Sequence, residues 1–117
     1  MSDLKTLVDG LNQKILEGKI LEAFEEYYAE DVVMQDNDYP ARVGKDVCRQ
    51  YEEAFVNGLT EFRGAKLVNT LVSDGITISE WFFDYTHKDY GVRTYTQVCV
   101  QRWKNGKIVE EKFYYNN

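Results

Sequence analysis

The apolar positions of this chain change their spacing once, near its middle. Up to about residue 58 they recur every three or four residues, and from about residue 61 they alternate. A recurrence near 3.6 marks a helix with one buried face, and a period of two marks a strand with one buried face. Leu4, Leu7, Val8, Leu11 and Ile15 predict a first helix, with Ser2 placed to cap its start and Gly18 to close it. A second helix begins near Lys19 and carries Ile20, Phe24, Tyr27 and Tyr28 on one side. Val32, Val33 and Met34 read as a short strand added at one edge of a sheet. Asp36, Asn37, Asp38, Tyr39 and Pro40 read as a loop, since Pro40 excludes a central strand there. A third helix is predicted from about Gly44 to Asn57, with Val47, Tyr51, Ala54 and Phe55 inward and Gly58 as its stop.

The second half predicts strands near 61–73, 76–87, 92–103 and 108–116. Asp74-Gly75 and Asn105-Gly106 are two-residue hairpin signals, because both turn positions need positive φ. His87 to Gly91 forms the longer middle turn. Helices followed by a four-stranded antiparallel meander imply a single α+β domain over 1–117, with the sheet curling around the helices and leaving a cavity between them. On strand 92–103 one face carries Tyr95, Gln97, Cys99, Gln101 and Trp103, and the other Val92, Thr94, Thr96, Val98 and Val100. A solvated outer face would show charge. The β-branched and apolar residues found there predict a homodimer through the outer sheet face, and ordinary surface Val and Thr are the alternative. The run Trp81, Phe82, Phe83 reads the same way, with core on one face and interface on the other.

Composition narrows the function. Nine Tyr in 117 residues suit a wet interface or a pocket of mixed polarity. The net charge of −6 is uneven: residues 1–55 hold 13 acidic and 6 basic side chains, the remainder 7 and 8. The helical half therefore shows water an acidic face, and without a Lys/Arg run neither nucleic acid nor an anionic membrane is an expected partner. No signal peptide and no long apolar run are found, so the expected location is the cytoplasm. Cys48 and Cys99 fit neither a metal spacing nor a disulfide framework and read as buried free thiols. His87 is the only histidine and sits at a hairpin end, which argues against an imidazole metal site or a Ser–His–Asp triad. Phosphate loops and nucleotide fingerprints are absent, so no cofactor is expected.

Four segments in this order and spacing carry a resemblance: residues 18–24 (GKILEAF), 28–36 (YAEDVVMQD), 43–46 (VGKD) and 105–111 (NGKIVEE). With the element order, they make the chain similar to the nuclear-transport-factor-2-like superfamily, and within it to the SnoaL-like group related to polyketide cyclases and ketosteroid isomerases. The resemblance covers nearly the whole chain. It implies a cone-shaped, mostly antiparallel sheet with the N-terminal helices in its concave face and a pocket at the wide end. Asp36 matches the position of the isomerases' general-base carboxylate. Cys99 stands where they hold a protonated Asp, Leu11 near their oxyanion-hole Tyr, and Phe113 near an acidic residue of the cyclases. One member of the isomerase trio is thus retained, and the superfamily hosts enzymes, ligand binders and interaction modules alike.

Two carboxylates are the candidate catalytic groups. Asp36, at the pocket mouth among apolar side chains, suits proton abstraction beside a carbonyl, although turn chemistry alone also explains an Asp there. An Asp36→Asn change is expected to remove turnover with little effect on stability. Glu111 follows if Val109, Glu111, Phe113 and Tyr115 point into the cone, and then it must find a partner or hold a proton. Gln97 and Gln101 on the neighbouring strand are placed to bond it, and Tyr115 or Tyr51 to donate to an oxyanion. A structural Glu–Gln network is the other account of the same residues. The expected pocket lining is Tyr51, Phe55, Gln97, Cys99, Gln101, Phe113 and Tyr115. The ligand expected from this set is a small, mostly apolar or carbonyl-bearing molecule. A non-catalytic binding or interaction module of the same fold is the alternative.

Overall fold

The computed structural model describes residues 3–116. Three helices, α1 (Leu4–Leu16), α2 (Ile20–Tyr27) and α3 (Lys45–Gly58), pack in the concave face of one curved sheet. Its strands are β1 (Tyr28–Asp36), β2 (Arg42–Val43), β3 (Leu59–Ser73), β4 (Ile76–His87), β5 (Gly91–Lys104) and β6 (Lys107–Tyr115). They lie in the order β2-β1-β6-β5-β4-β3, antiparallel throughout except where β1 runs parallel to β6. Among the described residues no helix is long and apolar enough to cross a membrane.

The meander forms where the alternation predicts it, but the two hairpin turns differ: at Asp74-Gly75 only Gly75, at a φ of 68°, is left-handed, and Asp74 does not take the positive φ expected of it. Asn105 and Gly106 have φ of 53° and 78°, the pair of positive values that a type I′ turn needs. Ser2 lies outside the described residues; the α1 cap is Asp3, whose side chain accepts from the Lys5 amide. The strand near Val33 is longer than predicted and is not an edge. It spans nine residues and pairs on both sides, because the Arg42–Val43 segment folds back to cover it.

Two faces differ from the sequence reading. On α3 the buried stripe is Lys45, Cys48 and Gly58, not Val47 and Ala54, which are exposed. The helix is rotated because Lys45 donates from Nζ to the Glu25 carbonyl, and because Cys48 packs beside β1 and β2. The second difference is on β6. The pairing with β5 slips between Arg102 and Trp103, so Arg102 faces Glu110 while Trp103 faces Ile108. Val109 is the extra residue of this bulge. It leaves the cone, and Ile108 takes the core position with no exposed surface. Beyond the bulge Glu111, Phe113 and Tyr115 point inward as expected.

The core lies between the helices and the β1–β6 half of the sheet, built from Leu11, Phe24, Tyr28, Val32, Met34 and Ile108. Asn12, 1% exposed, ties α1 to the sheet by donating to Ser79 Oγ at 3.1 Å. At the other end α3 closes on the His87 ring, which is sandwiched between Phe55 and Tyr90. There Gly58 leaves no room for a side chain: a Cβ would stand 2.2 Å from His87 Nε2. Gly58→Ala is expected to lower stability by about 1–3 kcal/mol, measured as a shift in the midpoint of urea unfolding.

Candidate functional site

The far half of the cone is hollow. A cavity of about 580 Å³ lies between α3 and the inner faces of β4, β5 and β6. Its rim carries Tyr39, Tyr51, Phe62 and Tyr90, each more than a third exposed, and its deeper wall carries Trp81, Phe83, Tyr85 and Tyr95. All nine residues singled out from sequence stand on this one wall: Asp36, Glu111, Tyr51, Phe55, Gln97, Cys99, Gln101, Phe113 and Tyr115. Six of them converge because strand alternation sends every second residue of β5 and β6 to the same side, while Asp36 comes from the end of β1 and Tyr51 and Phe55 from α3.

Glu111 is the floor. It is 1% exposed and its carboxyl accepts from Tyr28 Oη at 2.7 Å, Gln101 Nε2 at 2.6 Å and Cys99 Sγ at 3.1 Å. The network continues outward: Gln101 Oε1 accepts from Thr77, whose hydroxyl accepts from the Trp103 indole at 2.8 Å. Gln97 lines the cavity without a bond to Glu111, since it sits two pleats further along β5. Burial raises the Glu111 carboxyl above its usual range, the three donors oppose that shift, and the Asp36 charge adds to it. Burial likewise raises the Tyr28 hydroxyl and the Cys99 thiol well above their ordinary values, with the Glu111 charge adding to both.

Asp36 ends β1, and its position is set by its neighbour. Asn37, at a φ of 47°, donates its amide to the Phe113 carbonyl and its side chain brackets the Tyr115 backbone from both sides. That clamp holds Asp36 against the end of β6. One Asp36 oxygen accepts from Tyr115 Oη at 2.6 Å and the other from Arg42 Nη2 at 2.8 Å. Arg42 in turn lies flat on the Tyr51 ring, 3.7 Å from its centre. Neither a bare turn residue nor an unpaired base, Asp36 is one half of an ion pair whose side chains are each 13% exposed. Removing its charge strands Arg42, so the expectation that Asp36→Asn spares stability does not survive the geometry. Tyr115 and Tyr51 are both engaged with this pair. Burial and the Asp36 bond raise the Tyr115 hydroxyl, and burial raises that of Tyr51 to about 12.

One wall carboxyl was missed from sequence. Glu52 of α3 faces the cavity, and burial pushes its carboxyl up to about 8, with Glu111 and Asp36 raising it further and Arg42 opposing. The residue lies one helical turn from Cys48 and Phe55, so a stripe drawn through 48, 52 and 55 finds it; the stripe drawn through Val47 and Ala54 does not. Among the described residues no group of three or more His, Cys, Asp or Glu is arranged to hold a metal ion.

A carboxyl that binds its proton more tightly folded than unfolded makes stability fall as pH rises from the unfolded value to the folded one. For Glu52 that window runs from about 4.5 to about 8. Thermal unfolding followed by circular dichroism is expected to show Tm dropping across this window. Glu52→Gln should flatten the drop and raise Tm at pH 8 while changing little at pH 4.5.

The comparisons with known proteins agree with this architecture. A Mesorhizobium loti protein assigned as a SnoaL-like polyketide cyclase superposes with a TM-score of 0.88 at 25% identity, covering 97% of this chain and 100% of its own. A cystatin-like protein of unknown function from Xanthomonas campestris gives 0.85 at 13% identity, over 99% and 92% of the two chains. An NTF2-like protein of unknown function from Burkholderia pseudomallei gives 0.81 at 17%, also over 99% and 92%. No curated protein matches by sequence. The sequence profile of the SnoaL-like domain matches residues 7–111, from within α1 to Glu111 in β6, and the chain belongs to the SnoaL-like domain family.

Proposed function

We propose that this protein binds a mostly apolar small molecule bearing a carbonyl or hydroxyl, and that it moves a proton on that molecule without a cofactor, in isomerase- or cyclase-like chemistry with Asp36 as base. The observation that carries the reading is the cavity of about 580 Å³, a volume typical of small-molecule sites. Its wall is mostly aromatic, and its carboxyls lie in two different settings. Asp36 is held in an ion pair, 2.8 Å from the Arg42 guanidinium. Glu52 and Glu111 are pushed toward the neutral form. Carboxyls separated in this way mark candidate base and candidate acid.

A second reading is favoured by one contact. Both Asp36 oxygens already accept hydrogen bonds, which suits a binding module of the same fold that performs no chemistry. An apolar ketone such as 2-tetralone separates the two, with binding followed by tryptophan fluorescence and exchange of its α-protons for deuterium followed by NMR. The enzyme reading expects bound ketone to exchange and Asp36→Asn to lose the exchange while still binding. It also expects that variant to lose about 1–3 kcal/mol of stability, because Arg42 is left unpaired. Tight binding with no exchange above background by the wild type would favour the module.

The outer face of the sheet supports a homodimer as part of the same proposal. Phe82 and Tyr114 are 37% and 46% exposed there, and Val98 stands between strands that carry them. Analytical ultracentrifugation at micromolar concentration is expected to give twice the monomer mass, and Val98→Glu, which puts a charge in the middle of that face, is expected to give one monomer mass. A wild-type monomer at that concentration would count against the dimer.

A further inference from the structure

Glu52 is the carboxyl on the cavity wall that, among the described residues, has no hydrogen-bond or ion-pair partner. Asp36 holds Arg42 and Tyr115, and the Glu111 oxygens are taken by Tyr28, Gln101 and Cys99. The charged groups that act on Glu52 are Glu111 from β6, Arg42 from β2 and Asp36 from β1, and its own charge is felt by Cys48 and Tyr51 on its helix, Tyr28 on β1 and Cys99 on β5. Of the two guanidiniums near the hollow, Arg42 is the one that acts on Glu52 and it is already paired with Asp36, while Arg93 lies over the Tyr95 ring and donates to the Asn116 carbonyl. Charging Glu52 as well would put a further anion into a largely aromatic hollow in which no donor bonds it. Kept neutral, it is a hydrogen-bond donor on the cavity wall that donates to no described residue.

We propose that Glu52 is a catalytic acid of this cavity, giving its carboxyl proton to the oxygen of a bound carbonyl compound while Asp36 takes a proton from the neighbouring carbon. The inference rests on the reading of the cavity as a ligand site with Asp36 as base. In the step, the Asp36 carboxylate accepts the proton of the C–H bond and that bond's electron pair becomes the new C=C bond. The carbonyl π pair moves to oxygen, which takes the Glu52 proton. The products are an enol, a protonated Asp36 and a Glu52 carboxylate. Return of a proton from Asp36 to carbon and from the enol oxygen to Glu52 restores the starting states. The ligand class that fits is an apolar ketone or enone with its oxygen pointing at α3 and an acidic C–H pointing at the end of β1.

The test uses 2-tetralone with the full-length protein, read by tryptophan fluorescence for binding and by deuterium uptake at the α-carbon for chemistry. Wild-type binding is expected to weaken as pH rises through about 8, where Glu52 ionises and stops donating. Glu52→Ala should bind at least about tenfold more weakly, with no such pH dependence. Glu52→Gln keeps a donor but cannot surrender a proton, so it should retain binding while exchange falls about a hundredfold or more. Equal binding and exchange by wild type and both variants, flat across pH, would overturn the role of Glu52 and leave the ligand site standing. Failure of the wild type to bind the ketone at any pH would overturn the cavity reading beneath it.

Discussion

The cone depends on one buried carboxyl. Glu111 has almost no contact with water, and a charge or even a neutral acid placed there without partners would cost more than a small domain can spare. Its donors come from two strands, Tyr28 from β1 and Gln101 and Cys99 from β5, around a carboxyl on a third, β6. Satisfying Glu111 therefore joins the parallel β1–β6 pair to the antiparallel meander and fixes their relative register. The extension through Thr77 to the Trp103 indole adds β4 to the same chain of bonds. A polar network of this kind specifies one arrangement because a slip of a single residue would leave several of its members unpaired.

The same group sets the electrostatics of the hollow. A carboxyl in the floor, with Asp36 at the end of β1, makes the field inside the cavity unfavourable to further negative charge. Glu52 on the facing helix feels both. Asp36 is the wall carboxyl with a cation in contact: Arg42 folds back over it from β2, with its guanidinium over the Tyr51 ring. The short β2 strand, a minor element by size, is thus what lets one acid of the cavity differ from the others. The bulge at Val109 has a similar weight. By turning the strand once, it lets Ile108 fill the core beneath the helices while Glu111, Phe113 and Tyr115 face the hollow beyond it.

Much of this was legible in the chain. The switch from a helical to an alternating pattern marks where the helices end and the sheet begins. The turn pairs Asp74-Gly75 and Asn105-Gly106 mark two hairpins, because few residues tolerate positive φ and Gly75, Asn105 and Gly106 adopt it. Alternation along β5 and β6 then suffices to place Gln97, Cys99, Gln101, Glu111, Phe113 and Tyr115 on one face. Other features were not legible. The inward face of α3 was misread because a hydrophobic stripe through Val47 and Ala54 competes with a mixed one through Lys45, Cys48 and Glu52. Only the Lys45 bond to the Glu25 carbonyl and the packing of Cys48 choose between them. The pairing of Asp36 with Arg42, six residues away across a turn, was also hidden by the loop chemistry of the intervening residues.

By itself the sequence determined the elements, the two-sided character of each strand and the fold family, since these follow from local backbone preference and from the period at which apolar side chains recur. The tertiary structure alone decided which acids are paired, which is left facing the hollow without a partner, and how the rings leave space instead of closing it. Those outcomes turn on distances between residues far apart in the chain and on the loss of water around them. Neither is encoded in the spacing of positions along a strand or a helix.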